Sequence, residues 1–232
     1  MKRSSFIAAS LQAIVPASEE GQAGSSVTDA VHEGHAMGSL ALADLSVWPR
    51  LGLKGSGAFA FARDCDLFIP PRVNEAGVCA RGGLVARLGV EELLLLEVHT
   101  HPGWCESIES AWAALRANGV NRRIGWPVPR QDTHAWMRIA GEKGSQMLAK
   151  LCAVDLRTHR FAPLQVVQTS VARIGAIVIR ADLGAVPAFH LLCDSSYAEY
   201  LWGCLVRAME EYGGRIVEAR ASRLESSRAA PA

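Results

Sequence analysis

From residue 40 onward, the hydrophobic positions fall into short strand-like and helix-like stretches. Residues 40–53 carry closely spaced leucines interrupted by one proline and one glycine, a pattern typical of short strands. Gly55 and Gly57 then precede an apolar stretch at 58–63, which predicts a short helix. The implied unit is a strand, a tight glycine turn and a helix.

The middle of the chain predicts a pair of strands followed by an amphipathic helix. Residues 84–88 and 93–98 are apolar runs on either side of a turn. Residues 107–118 place apolar side chains at helical spacing, and an Asn-Gly pair supplies the stop. Prolines at 127 and 129 mark the predicted boundary between two halves, 40–125 and 126–220.

The second half predicts alternating strands and helices, which together with the first half indicates an α+β fold. Its final helix is preceded by a Ser three residues before Glu199, which is the pattern of a capping box. An apolar stripe that includes Tyr197 then continues along the helix until Gly213 ends it. The predicted elements are a strand at 136–139, a helix at 144–152, two strands or one strand bent at Gly175 over 166–180, a strand at 188–193 and the helix at 197–212.

Composition narrows the classes of protein and the compartment. The chain has 232 residues, half of them hydrophobic, and a net charge of +1. This balance argues against a nucleic-acid-binding protein, and no apolar run reaches the roughly 18 residues of a membrane-spanning helix. The six cysteines show no regular spacing and are expected to be reduced and mostly buried. Residues 2–17 have the outline of a weak export signal, but Ser10 and Gln12 interrupt its apolar region, so the cytoplasm is expected rather than export. Residues 1–39 are predicted to form an irregular arm and 221–232 a disordered tail.

Candidate metal and catalytic motifs are weak. Residues 97–102, EVHTHP, resemble part of the zinc site of JAMM metalloproteases, since His99 and His101 would share one strand face. That site also requires a downstream Ser and Asp, and Glu109 and Trp112 stand in their places. A metal is therefore not expected there. Further groups of chemically capable residues are interpreted as solvated or structural: His32, His35 and Met37, Cys105 beside His101, Gly55-Ser56-Gly57, Asp64 with Asp66, Glu91 with Glu92, and Glu210 with Glu211.

Several short runs carry a family resemblance. They are LADLS at 42–46, LKG at 53–55, HAW at 134–136, MLAKLCAVDL at 147–156, QTSVAR at 168–173, AIVIR at 176–180, PAFHLL at 187–192 and EYLW at 199–202. Together they resemble the gamma subunit of heterotetrameric sarcosine oxidase and, more distantly, the aminomethyltransferase (T-protein) of the glycine cleavage system. The resemblance runs from about residue 40 to residue 214 and accounts poorly for 98–123.

The resemblance implies a fold, a setting and partners. The fold is the folate-binding T-protein-like domain, built from two strand–helix halves. The setting is a multisubunit flavoenzyme that oxidises sarcosine or related N-methylated amino acids. The implied partners are a large alpha-type, a flavin-bearing beta-type and a small delta-type subunit. FAD, FMN, NAD, tetrahydrofolate and zinc are expected in those partners, with no cofactor and no metal in this chain.

The resemblance also implies that the folate site is degenerate. T-proteins carry an acidic pair before a strand that ends in Arg-Leu-Gly; residues 87–89 match that end, and Arg81 and Gly82 occupy the positions of the pair. His190 stands where a pterin-binding glutamate is expected. Arg and Gly offer no acceptor to the N–C–N donor edge of a pterin, and a histidine can accept at one nitrogen only. No catalytic residue is therefore assigned, and His190 is expected to be a core histidine.

Two functions remain open from the sequence. The first is a non-catalytic gamma-type subunit that supports the large folate- and flavin-bearing subunit through a surface that includes Trp48, Trp104 and Trp126. The alternative is a stand-alone tetrahydrofolate-dependent one-carbon transfer enzyme, which would need an acid from elsewhere. The candidates for that acid are Asp44, Asp132 and Asp182.

Overall fold

The computed structural model describes residues 40–79, 83–97, 102–118 and 125–217. The predicted arm and tail lie outside these ranges. The strands are β1 Ala41–Asp44, β2 Arg50–Lys54, β3 Glu75–Val78, β4 Leu84–Gly89, β5 Glu92–Leu96, β6 Trp126–Pro129, β7 His134–Ala140, β8 Val166–Val171, β9 Ile174–Arg180, β10 Ala188–Asp194 and β11 Arg215–Ile216. The helices are α1 Ala58–Asp64, α2 Trp104–Ala117, α3 Gly144–Leu148 and α4 Ala198–Met209.

The strands form two sheets packed face to face. The six-stranded sheet has the order β11-β1-β7-β10-β9-β8, and the five-stranded sheet has the order β3-β4-β5-β2-β6. Neighbouring strands are antiparallel except β1 and β11. The two predicted halves exchange strands, because β1 joins the six-stranded sheet and β6 joins the five-stranded sheet.

Side-chain alternation along the strands builds four layers. On β7, Met137 and Ile139 face a core that includes the apolar sides of α3 and α4, whereas Trp136 and Ala140 face the five-stranded sheet. The opposite face of the five-stranded sheet packs against α1 and α2. The layers are therefore α3 with α4, the six-stranded sheet, the five-stranded sheet, and α1 with α2.

Most predicted elements are confirmed, with shifted ends. The helix predicted at 107–118 begins earlier, at Trp104. The helix predicted at 144–152 ends at Leu148, and Cys152 instead forms an isolated bridge to Val171 of β8. The 166–180 stretch forms two strands, but its turn is not at Gly175. The turn lies at Ala172 and Arg173, which have φ angles of 49° and 69°. Three strands were not predicted: β3, β6 and β11.

The predicted capping box of the last helix is wrong. The cap is Asp194, whose Oδ1 accepts hydrogen bonds from the backbone N–H and the hydroxyl of Ser196, at 2.9 and 2.6 Å. A 3-10 turn at Ser195–Tyr197 then leads into α4. Tyr197 is 52% exposed instead of lying on the buried stripe. Among the described residues, no helix has the length and apolar character needed to cross a membrane.

Candidate functional site

His190 lies in the layer between the two sheets and is fully buried. On β10 it lies on the same face as Ala188 and Leu192, both of which pack in the core between the two sheets. Across the β7–β10 ladder it pairs in register with Arg138. The prediction of a core histidine at this position is confirmed.

The hydrogen bonds of His190 determine what its ring can offer. The indole Nε1 of Trp136 donates to His190 Nδ1 at 2.9 Å. Burial, reinforced by the positive charge of Arg138, lowers the pKa of His190 to about 3, so the ring is neutral. With Nδ1 accepting, the ring proton resides on Nε2, which has no hydrogen-bond partner in the described part of the chain. His190 therefore presents a donor to its surroundings.

Aromatic and guanidinium side chains fill the space around His190. The Trp136 ring lies 5.5 Å from the His190 ring, and Trp48 packs edge-on against Trp136 at 5.8 Å. The guanidinium of Arg138 lies 5.8 Å from the Trp48 ring, and burial lowers the pKa of Arg138 to about 10. The protein's own side chains thus occupy the layer around this position.

An open cleft of about 510 Å³ lies where ends of the two sheets meet. Its apolar part comes from β4, β9 and β10, and polar side chains from both sheets complete its lining. Neither His190 nor Trp48, Trp136 or Arg138 lines this cleft. The lining residues are Leu88, Glu92, Arg130, His134, Gln168, Thr169, Ser170, Gly175, Ala176, Ile177, Leu192, Cys193 and Asp194.

A chain of polar contacts forms one wall of the cleft. Glu92 accepts from Arg130 Nη2 at 2.6 Å and pairs with Lys54 at 3.0 Å, so its charge is compensated. Arg130 Nη1 donates to His134 Nε2 at 2.9 Å, and His134 Nδ1 donates to the Thr133 hydroxyl at 2.8 Å. Burial and the Arg130 cation lower the pKa of His134 to about 4, consistent with a neutral ring acting as acceptor. This corrects the interpretation of Glu92 as a solvated charge.

Sequence reasoning missed the polar residues of this cleft. The sequence gives no reason to single out Arg130, His134 or Asp194. Glu92 and Arg130 are 38 residues apart in the chain, and they meet only because β2 pairs with β5 on one side and with β6 on the other. The one local signal for Asp194 was the capping pattern before the last helix, but that pattern places the cap at Ser196.

The acids named for the alternative function do not line the cleft. Asp182 is held by Arg180 through two contacts of 2.9 and 2.7 Å. Asp44 accepts the backbone N–H of Ser46 at 2.8 Å. Asp132 is exposed.

Several other predicted site residues can be placed. Trp48 and Trp104 are buried, so their prediction as surface contacts is wrong, whereas Trp126 is 48% exposed. The six cysteines are free, and none is exposed. Arg81, Gly82, His99 and His101, like His32, His35 and Met37, lie outside the described residues. Over the described ranges, no group of three His, Cys, Asp or Glu side chains could hold a metal ion.

The architecture is the T-protein-like folate-binding fold, so the predicted α+β fold is confirmed. The chain is similar to one chain of heterotetrameric sarcosine oxidase from Corynebacterium sp. U-96, solved in complex with pyrrole 2-carboxylate. That likeness has a TM-score of 0.62 at 21% identity and covers 84% of this chain and 100% of that chain. The predicted resemblance is thereby confirmed in structure.

The second similar structure is the glycine cleavage system aminomethyltransferase T from Bartonella henselae, with a TM-score of 0.56 at 13% identity. The likeness covers 81% of this chain but only 50% of the aminomethyltransferase, so the chain corresponds to half of that protein. No protein-family model and no curated protein matches the sequence.

Proposed function

We propose that this chain is a non-catalytic, gamma-type subunit of a multisubunit, flavin-dependent oxidase or dehydrogenase acting on sarcosine or a related N-methyl amino acid. In this role it supports the large folate- and flavin-bearing alpha-type subunit beside beta- and delta-type subunits. FAD, FMN, NAD, tetrahydrofolate and zinc belong to those partners. The extent of the structural likeness supports the role, since it spans the whole of one chain of a heterotetrameric enzyme.

The single observation that carries the non-catalytic part of the proposal is the state of His190. A pterin edge made of N–H donors needs an acceptor, and a carboxylate can accept two such bonds at once. In this chain Trp136 already occupies Nδ1, and Nε2 bears the proton. A pterin there would face a donor, and each unpaired buried donor costs about 1–3 kcal/mol.

The second candidate function, a stand-alone tetrahydrofolate-dependent enzyme, is favoured by the cleft. Its size suits a small ligand, and Glu92 and Asp194 bring carboxylates to its lining. However, Glu92 is neutralised by Lys54 and Arg130, and Asp194 Oδ1 is engaged by Ser196.

A titration of the purified full chain with tetrahydrofolate, followed by tryptophan fluorescence, separates the two functions. The subunit proposal predicts no saturable change at micromolar ligand. Saturation in the micromolar range that is lost in Asp194→Asn would instead support the enzyme. As a matched control, Asp132→Asn changes an exposed acid outside the cleft.

A further inference from the structure

The second half of α2 has an unusual exposure. Only Trp104, Cys105 and Ile108 of this 14-residue helix are buried, all in its first half. From Glu109 to Ala117 no residue is fully buried, and Leu115 is 37% exposed. Helices in globular proteins are stabilised mainly by packing of an apolar face. Ala111 and Trp112 still pack against the core below α2, but after Trp112 every residue of the helix is exposed, Leu115 included.

Two tryptophans and an arginine form a cluster at that exposed half. The rings of Trp112 and Trp126 lie 5.9 Å apart, and Trp112 Nε1 donates to the Gly125 carbonyl at 2.7 Å. The guanidinium of Arg116 lies 5.2 Å from the Trp112 ring and 5.1 Å from the Trp126 ring. Trp and Arg held in place before binding are the side chains most enriched at interface hot spots.

The charge of the cluster is uncompensated within the described chain. Arg116 makes no ion pair with any described carboxylate. The only other cation near Trp126 along the β2–β6 ladder is Lys54, which already pairs with Glu92. The surface formed by Trp112, Leu115, Arg116 and Trp126, hereafter the tryptophan–arginine surface, therefore carries a positive charge that no described carboxylate pairs with.

The chemistry of this surface restricts its occupant. A second copy of the chain related by twofold symmetry would set like surfaces together and bring two Arg116 cations close without an acid. Strand addition is disfavoured as well, because Pro127 and Pro129 of the edge strand β6 carry no amide hydrogen. A different polypeptide that supplies a carboxylate between apolar side chains matches both the charge and the aromatic faces.

We propose that the tryptophan–arginine surface binds the large alpha-type subunit, with a partner carboxylate contacting Arg116 and partner apolar side chains covering Trp126 and Leu115. This inference rests on the proposed function and names the contact that function uses.

The test measures the affinity of the full-length chain for the alpha-type subunit of its own organism, by interferometry at about 0.15 M salt. Trp126→Ala and Arg116→Glu are each expected to weaken binding about tenfold or more, with unchanged thermal melting. The matched controls are Tyr200→Ala, a 56% exposed aromatic on α4, and Arg63→Glu, an exposed arginine on α1; both should bind like the wild type.

Each remaining outcome overturns the inference in a recognisable way. If the complex forms and both cluster variants bind as the wild type does, the docking surface is wrong while the proposed function stands. If the chain self-associates and Arg116→Glu abolishes the dimer, the occupant is a second copy. If the chain binds no sarcosine-oxidase-type subunit at all, the proposed function fails and this inference fails with it.

Discussion

Trp136 donates its indole N–H to Nδ1 of His190 at 2.9 Å, inside the layer between the sheets. This bond and the low pKa of His190, about 3, leave the ring neutral with its proton on Nε2. The pair therefore closes the position at which the family resemblance expects a pterin-binding acid. Whether Arg81 and Gly82 complete the loss stays a prediction, because they lie outside the described residues.

The Trp136–His190 bond should be detectable as an energetic coupling. Trp136→Phe removes the donor and leaves a buried acceptor unpaired, which costs about 1–3 kcal/mol of unfolding free energy. In a double-mutant cycle with His190→Leu, measured by urea denaturation, the two changes should couple by at least about 0.5 kcal/mol. Strict additivity would show that the bond contributes nothing.

Two neutral histidines, the buried His190 and the half-buried His134, predict a loss of stability in mild acid. The pKa of His134 is lowered to about 4 and that of His190 to about 3, from an ordinary 6.5. Between pH 6.5 and about 4, the unfolded chain therefore binds protons that the folded chain does not. The unfolding free energy should fall with falling pH by up to about 1.4 kcal/mol per pH unit for each histidine. His134→Gln should make this slope shallower, and an identical slope in the variant would contradict the assignment.

The cap of α4 gives a prediction that separates the observed structure from the capping box expected from sequence. Asp194→Ala removes the acceptor for Ser196 and should lower the unfolding free energy by about 1 kcal/mol. Glu199→Gln, which alters the residue that a capping box would use, should change it by less than about 0.5 kcal/mol. If chemical denaturation showed a larger loss of unfolding free energy for Glu199→Gln than for Asp194→Ala, the capping box would be supported instead.

The β8–β9 hairpin carries removable backbone strain. Arg173 adopts φ 69°, a left-handed conformation that costs a non-glycine residue roughly 1–2 kcal/mol. Arg173→Gly relieves this strain but makes the unfolded chain more flexible, which offsets part of the gain. The net unfolding free energy should therefore rise by about 0.5–1 kcal/mol, and the melting temperature should rise with it. The matched control is Gly175→Ala, at an extended position with nothing near its Cβ. A destabilised Arg173→Gly variant would rule out strain at this turn.

The sequence predicted local features better than contacts between distant segments. Apolar periodicity located β4, β5, β10 and the buried side of α4, because each pattern reflects the face that the element itself buries. It missed β6, since prolines at 127 and 129 are signals of a chain boundary and become compatible with a strand only at a sheet edge. Trp48 gave no amphipathic pattern, and its burial depends on Trp136, 88 positions away in the sequence.

The candidate site shows the same limit. His190 could be singled out because a family resemblance points to its position, and its burial followed from the apolar run around it. The contacts from Glu92 through Arg130 to His134 join a strand start, a strand-flanking residue and another strand start. No local sequence pattern predicts a contact between these distant residues, so the polar wall of the cleft can be recognised only from the folded structure.

The most direct measurement of the central claim is the native mass of the full-length chain co-expressed with the alpha-, beta- and delta-type subunits of a sarcosine-oxidase-type enzyme from its own organism. The account predicts that the chain elutes stoichiometrically within the complex and binds no tetrahydrofolate when purified by itself. A stable, monodisperse monomer that has no affinity for the large subunit would contradict it.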